Sequence, residues 1–229
     1  YRAHHKSEIP EDQEHIGFTS IAKDIHYLLN ELQITKCCFL GHSFGVQVLL
    51  KTYEMYPELF SSLVFINGFA SDPISSMFGN GVVNKVFEVI KKLNQALPET
   101  SSYLWGQLVQ NSLSIKLSGI LGGFNLNLTQ LKDVEIYARG IASLDLKTYL
   151  SLFEKMMEYD GRNVYSLIDV PTLIISGQQD SVTPQSYQKE MHERIVGSEL
   201  VSIPYGSHCT QLDMPDYVNL CIDKFLKAL

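Results

Sequence analysis

Four short apolar runs place the tightest constraint on how this 229-residue chain can fold. Residues 35–40 (TKCCFL), 63–67 (LVFIN), 172–176 (TLIIS) and 200–204 (LVSIP) are rich in β-forming residues and do not alternate with polar ones. Strands of this kind are buried on both faces, as in a parallel sheet that helices cover on each side. The four runs therefore predict the strands of one parallel sheet.

Helical segments lie between and after these runs. They are predicted over residues 20–32, 44–56, 184–196 and 215–229. Parallel strands need long crossover connections, which are usually helices. The alternation predicts an α/β fold with an open, mostly parallel sheet flanked by helices on both faces.

The middle of the chain has a different pattern. Between residues 71 and 165 apolar residues recur at three- and four-residue steps, and no strand-like run is present. The helical patterns cover residues 82–97, 128–144 and 146–159. Because this block lies between two strands of one sheet, it predicts an inserted helical cap. The predicted organisation is a core over residues 1–70, a cap over 71–165 and the rest of the core over 166–229.

Charge and cysteine content disfavour several classes of protein. Lys and Arg number 18 against 25 Asp and Glu, a net charge of −7, which disfavours a nucleic-acid-binding surface. No apolar stretch reaches the roughly 20 residues of a membrane-spanning helix. Cys37, Cys38, Cys209 and Cys221 lack the spacing of a zinc site or a disulfide framework. We therefore expect no metal and no membrane span, and the vicinal thiols without a visible export signal favour the cytoplasm.

Residues 41–45 (GHSFG) directly follow the first predicted strand and open the next helix. In this context Gly-x-Ser-x-Gly is the sharp turn that presents a nucleophilic serine, here Ser43. The glycines leave room for the bend in the backbone. The N–H of Phe44, at the start of the helix, can donate to a developing oxyanion.

A serine hydroxyl needs a base to remove its proton, and that base needs a third group to orient it. Asp180 follows the third predicted strand, and His208 follows the fourth. Ligands of open parallel sheets bind beyond the carboxyl ends of the strands. We therefore expect Ser43, Asp180 and His208 to converge there. Asp72, which follows the second strand, is the alternative candidate for the acid.

These motifs together resemble a known family. The turn around Ser43, the stretch 171–184 with Asp180 and the ending GSH at 206–208 are similar to the α/β-hydrolase superfamily, in particular to its capped serine hydrolases. That group includes esterases, lactonases and iminopeptidases. The resemblance implies acyl transfer to Ser43, with His208 as general base and then acid, Asp180 as its orienting group and water as the final acceptor. It implies no cofactor.

The resemblance also carries one departure. Members of the family usually begin with further strands, one of which leads into a turn that supplies the second oxyanion donor, and no such strands precede Tyr1 in this sequence. The resemblance thus implies that the second donor is missing together with them. It also implies that the strand at residues 35–40 lies at a hydrophobic edge of the sheet.

Three functions remain open at this point. The first is a serine hydrolase that cleaves a carboxylic ester, lactone or thioester. The second is a non-catalytic or truncated member that binds a ligand or transmits a signal. The third is an iminopeptidase or acyltransferase with the same three residues. A serine nucleophile disfavours epoxide hydrolase and dehalogenase chemistry, which in this superfamily relies on an aspartate.

The expected partner is a small molecule with a hydrophobic acyl group. His42, beside the serine, and Trp105, in the cap, are the candidate substrate-binding residues. An iminopeptidase needs an acid in the cap to hold the substrate amine, and Glu135 and Glu154 are the candidates for it. The oligomeric state is not readable from the sequence.

Overall fold

The computed structural model describes residues 1–4, 6–10, 15–73, 82–111, 113, 114, 116 and 123–229. The strands are β1 (Cys37–His42), β2 (Phe60–Ile66), β3 (Thr172–Gly177) and β4 (Glu199–Ile203). They form one sheet in the order β1-β2-β3-β4, and every neighbouring pair is parallel. The predicted α/β fold class is therefore confirmed.

Helices precede, connect and follow the strands. They are α1 (Phe18–Glu31), α2 (Phe44–Met55), α3 (Val82–Ala96), α4 (Pro98–Gln110), α5 (Leu131–Ala142), α6 (Leu146–Glu158), α7 (Ser186–Arg194), α8 (Thr210–Asp213) and α9 (Pro215–Lys227). Short 3₁₀ turns cover Pro57–Leu59 and Arg162–Leu167. Proline opens α4 and α9, where its missing N–H costs no helical hydrogen bond.

Side chains of the central strands alternate between two buried faces. On β2, Leu63 and Phe65 belong to one apolar cluster, while Val64 and Ile66 belong to the other. Helices α2 and α7 cover the first face, and α9 covers the second with side chains that include Phe225. Burial on both faces explains why these strands read as continuous apolar runs.

Strand β1 lies at the end of the sheet and, among the described residues, pairs only with β2. Leu40 on this strand is 52% exposed, in agreement with the expected hydrophobic edge. The strand ends at His42, two residues later than predicted, because Gly41 and His42 still pair with Phe65 and Ile66. The glycine at position 41 therefore belongs to the strand and not to a loop.

Among the described residues, helices α3 to α6 lie between β2 and β3 in the predicted cap. Helix α4 was not among the helices predicted from the sequence; it begins at Pro98, directly after the end of α3. Aromatic pairs hold this block together: the ring centroids of Phe87 and Phe153 are 5.2 Å apart, and those of Trp105 and Tyr149 are 4.5 Å apart. The described part of the inserted block is thus mainly helical, as expected, and its division from the core as a cap stays a prediction.

None of the helices that the structure describes is both long and apolar enough to cross a membrane.

Candidate active site

The parallel strands end at one edge of the sheet, and the loops beyond this edge carry Ser43, Asn67, Asp180 and His208. In open α/β sheets this edge is where ligands bind. The structure therefore brings the three residues predicted from the sequence to one place, together with an asparagine that was not predicted.

Ser43 stands on a strained turn between β1 and α2. Its φ of 54° lies in the left-handed region that side chains other than glycine rarely adopt, and its N–H donates to the carbonyl of Ile66 at 3.0 Å. A Cβ on Gly41 would lie 2.8 Å from Leu49 Cδ1 and 3.0 Å from the backbone of Gly45. The turn thus needs a glycine at position 41. Its sharp bend places Ser43 between the end of β1 and the start of α2.

A chain of hydrogen bonds joins the three predicted residues. The Oγ of Ser43 lies 2.8 Å from Nε2 of His208, and Nδ1 of His208 lies 2.9 Å from Oδ2 of Asp180. Both His208 and Asp180 are only 6% exposed. The carboxylate in contact with His208 is thus that of Asp180 and not that of Asp72, whose backbone carbonyl accepts a hydrogen bond from Tyr187.

Asp180 is fixed by the residues that follow it. Its Oδ1 accepts hydrogen bonds from the N–H groups of Val182 and Thr183, at 2.9 and 2.8 Å. The Thr183 hydroxyl lies 2.7 Å from Oδ2 of Asp180 and 3.1 Å from Nδ1 of His208. Thr183 therefore contacts both oxygens of the carboxylate and holds it toward the imidazole. Thr183 was not predicted from the sequence, although a carboxylate three residues before a threonine is a common turn pattern.

Asn67 holds the loop that carries His208. Its Nδ2 lies 2.7 Å from the carbonyl of Ser207, 2.6 Å from that of His208 and 2.8 Å from Oγ1 of Thr210. Its Oδ1 accepts the N–H of Gly177 at 2.8 Å, and the residue is fully buried. One amide therefore connects the ends of β2 and β3 with the histidine loop. An asparagine after a strand is an ordinary turn residue, so the sequence gives no signal for this role.

His42 packs beside the site as a neutral ring. Its Nε2 lies 2.8 Å from the carbonyl oxygen of His208, and the two rings are 5.0 Å apart. Burial, followed by the proximity of His208, lowers the pKa of His42 to about 4. The neutral ring donates its Nε2–H to this carbonyl, and a substrate contact by His42 stays a prediction.

Trp105 lies within the inserted helices, away from the serine turn. It lines a cavity of about 380 Å³ with Leu93, Leu104 and other apolar side chains of α3 and α4. Its ring packs at a tilt against Tyr149, and Tyr149 and Phe44 pack against one apolar cluster that includes Leu144 and Leu152. Among the described residues, no hydrogen bond or ring contact joins Trp105 directly to Ser43, and a substrate contact by Trp105 stays a prediction.

The two acids considered for binding an amine differ in their surroundings. Glu154 forms an ion pair with Lys91 at the surface of the inserted helices. Glu135 is half-buried on α5. Within the described part of the chain, no group of histidine, cysteine, aspartate and glutamate side chains could hold a metal ion.

The serine lies on a strained turn between β1 and α2 of a parallel sheet. It is hydrogen-bonded to a histidine, which in turn binds an aspartate, and both of these residues follow later strands. This is the arrangement of an α/β hydrolase. The family model described as "alpha/beta hydrolase fold" matches residues 1–215. This chain belongs to that family.

Curated relatives and solved structures agree with this assignment. Epoxide hydrolase 4 of Mus musculus is 24% identical over an alignment of 246 residues, gaps included. The alignment covers 99% of this chain and 64% of that protein, so the chain spans less than two thirds of its relative. Karrikin insensitive 2 receptor IA of Petunia hybrida is 23% identical over 205 residues, covering 89% of this chain and 69% of the receptor. The crystal structure of a bromoperoxidase from Bacillus anthracis superposes with a TM-score of 0.75 at 20% identity, covering 99% of this chain and 79% of that one. These likenesses support the fold and a family that includes hydrolases.

Proposed function

We propose that this chain is a serine hydrolase that cleaves a carboxylic ester, with lactones and thioesters as related substrates. The observation that carries the proposal is the hydrogen-bonded series from Ser43 through His208 to Asp180, with distances of 2.8 and 2.9 Å. A serine becomes a nucleophile when an oriented base can take its proton, and this series has that geometry.

In the proposed reaction, Nε2 of His208 takes the proton of Ser43 as Oγ attacks the carbonyl carbon of the ester. Asp180 holds the proton on Nδ1 and stabilises the imidazolium that forms. His208 then gives its proton to the departing alkoxide, which leaves an acyl group on Ser43. A water molecule, deprotonated by the same imidazole, attacks this acyl-enzyme and releases the acid.

The negative charge on the tetrahedral intermediate needs a donor near Ser43. The N–H of Phe44 is the proposed donor, because α2 begins at this residue and the first N–H groups of a helix have no partner within it. The positive end of the helix dipole adds to this stabilisation.

The serine also favours acyl transfer over the epoxide opening for which the mouse relative is named. Attack of a serine oxygen on an epoxide would produce an ether, which water and a histidine base do not hydrolyse at neutral pH. Attack on an ester produces a second ester, which the same histidine and a water molecule can hydrolyse. A serine at this turn is therefore suited to turnover on acyl compounds.

We propose residues 71–165 as the cap over this site. On α5, Tyr137 packs edge-on against His42 with ring centroids 6.4 Å apart. Phe124, in the segment before α5, shares an apolar cluster with Cys209, the residue after His208. Apolar and aromatic side chains thus lie close to His42 and to the loop that carries His208. This favours a substrate with a hydrophobic acyl group.

A second candidate function is ligand binding without turnover, because one relative is named as a receptor. The two functions differ in whether Ser43 reacts. Intact-mass measurement after incubation with a small fluorophosphonate gives that answer, and p-nitrophenyl esters of increasing acyl length measure turnover.

We expect one phosphonyl group per chain, no labelling of Ser43→Ala, and a loss of about 10⁴-fold or more in kcat for Ser43→Ala and His208→Ala. Ser166→Ala, which removes an exposed hydroxyl remote in sequence from the site, is the matched control and should react like the parent chain. A folded chain that takes no label and cleaves no ester would overturn the hydrolase proposal in favour of ligand binding.

A further inference from the structure

Asp213 is a buried carboxylate outside the series of Ser43, His208 and Asp180. It ends the short helix α8 and is 5% exposed. In the part of the chain that the structure describes, no lysine, arginine or histidine forms an ion pair with it. A buried charge without a cation is costly unless hydrogen bonds replace the lost water. Hydrogen-bond donors around Asp213 must therefore stabilise its buried charge.

Four donors from two parts of the chain meet this carboxylate. Its Oδ2 accepts from the N–H and from the hydroxyl of Ser207, each at 2.6 Å. Its Oδ1 accepts from the N–H of Asn125 at 3.0 Å and from the hydroxyl of Thr129. One oxygen thus holds the residue before His208, and the other holds the segment that leads into α5.

This segment, residues 123–129, also contacts the histidine loop in other ways. The side-chain amide of Asn125 donates to the carbonyl of Tyr205 at 2.9 Å. Phe124 packs in one cluster with Cys209. Several contacts therefore join this segment to the loop that carries His208. Those made by Asp213 are hydrogen bonds to a charged carboxylate.

Asp213 and Asn67 both bind Ser207, the residue before His208. Asn67 donates to the carbonyl oxygens of Ser207 and His208, while Asp213 accepts from the N–H and hydroxyl of Ser207. Thr210 and His42 also bind these two carbonyl oxygens, whereas the N–H of Ser207 is bound by Asp213. We propose that Asp213 is a positioning residue, which sets His208 against Ser43 and couples this setting to the segment 123–129 of the proposed cap.

This inference rests on the proposed function, and its test separates the two. In Asp213→Asn the side chain keeps its size, but one oxygen becomes an NH₂ that faces the donors of Ser207 or of the 123–129 segment. We expect kcat for p-nitrophenyl butyrate to fall by about 10- to 100-fold, because a small misplacement of a base has effects of this size. KM should stay within about threefold, because the buried carboxylate of Asp213 is occupied by its bonds to Ser207, Asn125 and Thr129.

A spectroscopic measurement separates positioning from general destabilisation. The proton on Nδ1 of His208, bonded to Asp180, should give a far-downfield NMR resonance. We expect this resonance to move or broaden in Asp213→Asn well below its unfolding temperature. Asp216→Asn removes the same charge from an exposed position on α9 and should leave the resonance, kcat and KM unchanged.

Thr129→Val gives a second variant if Asp213→Asn does not fold. It removes only the donor on the side of the 123–129 segment and should lower kcat by several-fold, while Ser143→Ala, which removes an exposed hydroxyl near the end of α5, should not. The positioning role is overturned if folded Asp213→Asn keeps kcat within about twofold of the parent. It is also overturned if kcat falls with an unchanged resonance. If the parent chain neither takes the fluorophosphonate nor cleaves esters, the proposed function fails, and the resonance alone then tests the role of Asp213.

Discussion

The side-chain amide of Asn67 lies 2.6 Å from the carbonyl oxygen of His208, across 141 residues of sequence. The end of β2 thus holds the backbone that carries the imidazole. Asn67 itself has a φ of 45°, a left-handed conformation that asparagine tolerates better than most residues. Its position therefore combines a backbone requirement with a hydrogen-bonding one.

Replacing Asn67 by glycine separates these two requirements, because glycine keeps the left-handed backbone and removes the amide. We expect the free energy of unfolding to fall by about 2–4 kcal/mol, since the buried N–H of Gly177 loses its acceptor and the carbonyls of Ser207 and His208 each lose one of their donors. We also expect kcat to fall by at least about tenfold. Urea unfolding and ester kinetics measure both quantities. A variant with parental stability would show that neighbouring groups replace the amide.

Removal of the Thr183 hydroxyl should reduce both activity and stability. Thr183→Val deletes the donor that lies 2.7 Å from Oδ2 of Asp180, while the two N–H groups on Oδ1 remain. We expect a loss of about 1–3 kcal/mol in the free energy of unfolding and about tenfold in kcat.

Thr52→Val is the matched control for this variant. The Thr52 hydroxyl is also fully buried, but it donates to the carbonyl of Val48 within α2. The control should change stability by about 1 kcal/mol and leave kcat unchanged. Equal kcat values for the two valine variants would show that the Thr183 hydroxyl does not orient Asp180.

The sheet could be predicted from the sequence because its strands leave a local signal. The runs at β1 to β4 are apolar without alternation, and each is flanked by a helical pattern; the signal has its physical cause in β2 and β3, which are buried on both faces. Ser43 could be proposed for a similar reason, since the turn needs particular residues within five positions. Its proximity to Asp180 and His208 could be predicted because a parallel sheet collects the residues that follow its strands at one edge.

Other residues of the site left a weaker signal or none. Asn67 acts through hydrogen bonds to residues distant in the chain, and the contact of Thr183 with Asp180 belongs to a common local turn pattern, so neither residue stands out from ordinary turn residues. Trp105 shows a different limit. Apolar periodicity identifies the buried side of a helix, but it does not say whether that side faces a substrate or a neighbouring helix such as α3.

The pH dependence of stability should include a contribution from His42. A histidine in the unfolded chain takes up a proton near pH 6.5, whereas the pKa of His42 in the folded protein is about 4. Between these values the unfolded state binds more protons, so stability should fall as the pH is lowered from 6.5 toward 4. At pH values below 4 the full shift destabilises the folded protein by on the order of 3 kcal/mol. Above pH 7 the ring is neutral in both states, so this destabilisation is absent.

His42→Gln keeps an amide that can donate to the carbonyl of His208 but does not titrate. We therefore expect the free energy of unfolding of the parent chain to fall more steeply between pH 7 and pH 4.5 than that of His42→Gln. Urea unfolding at the two pH values measures this difference. Parallel pH profiles would mean that His42 takes up its proton equally well in the folded protein.

The end of β3 passes close to the backbone of the loop that carries His208. A Cβ on Gly177 would lie 2.4 Å from the carbonyl oxygen of Ser207 and 2.5 Å from that of Gly206. Both oxygens belong to the backbone, so Gly177→Ala must move the loop that carries His208. We expect a lower unfolding temperature and a rate of fluorophosphonate labelling that is lower by about 100-fold or more.

Gly106→Ala provides the opposite case within the same chain. Gly106 lies inside α4, and nothing stands within 4 Å of the Cβ that would be added. Alanine has the higher helix propensity, so this variant should gain about 0.5–1 kcal/mol in stability and label at the parental rate. If Gly177→Ala also labelled at the parental rate, the imidazole would tolerate a displaced loop. The spacing of β3 from that loop would then not determine the reactivity of Ser43.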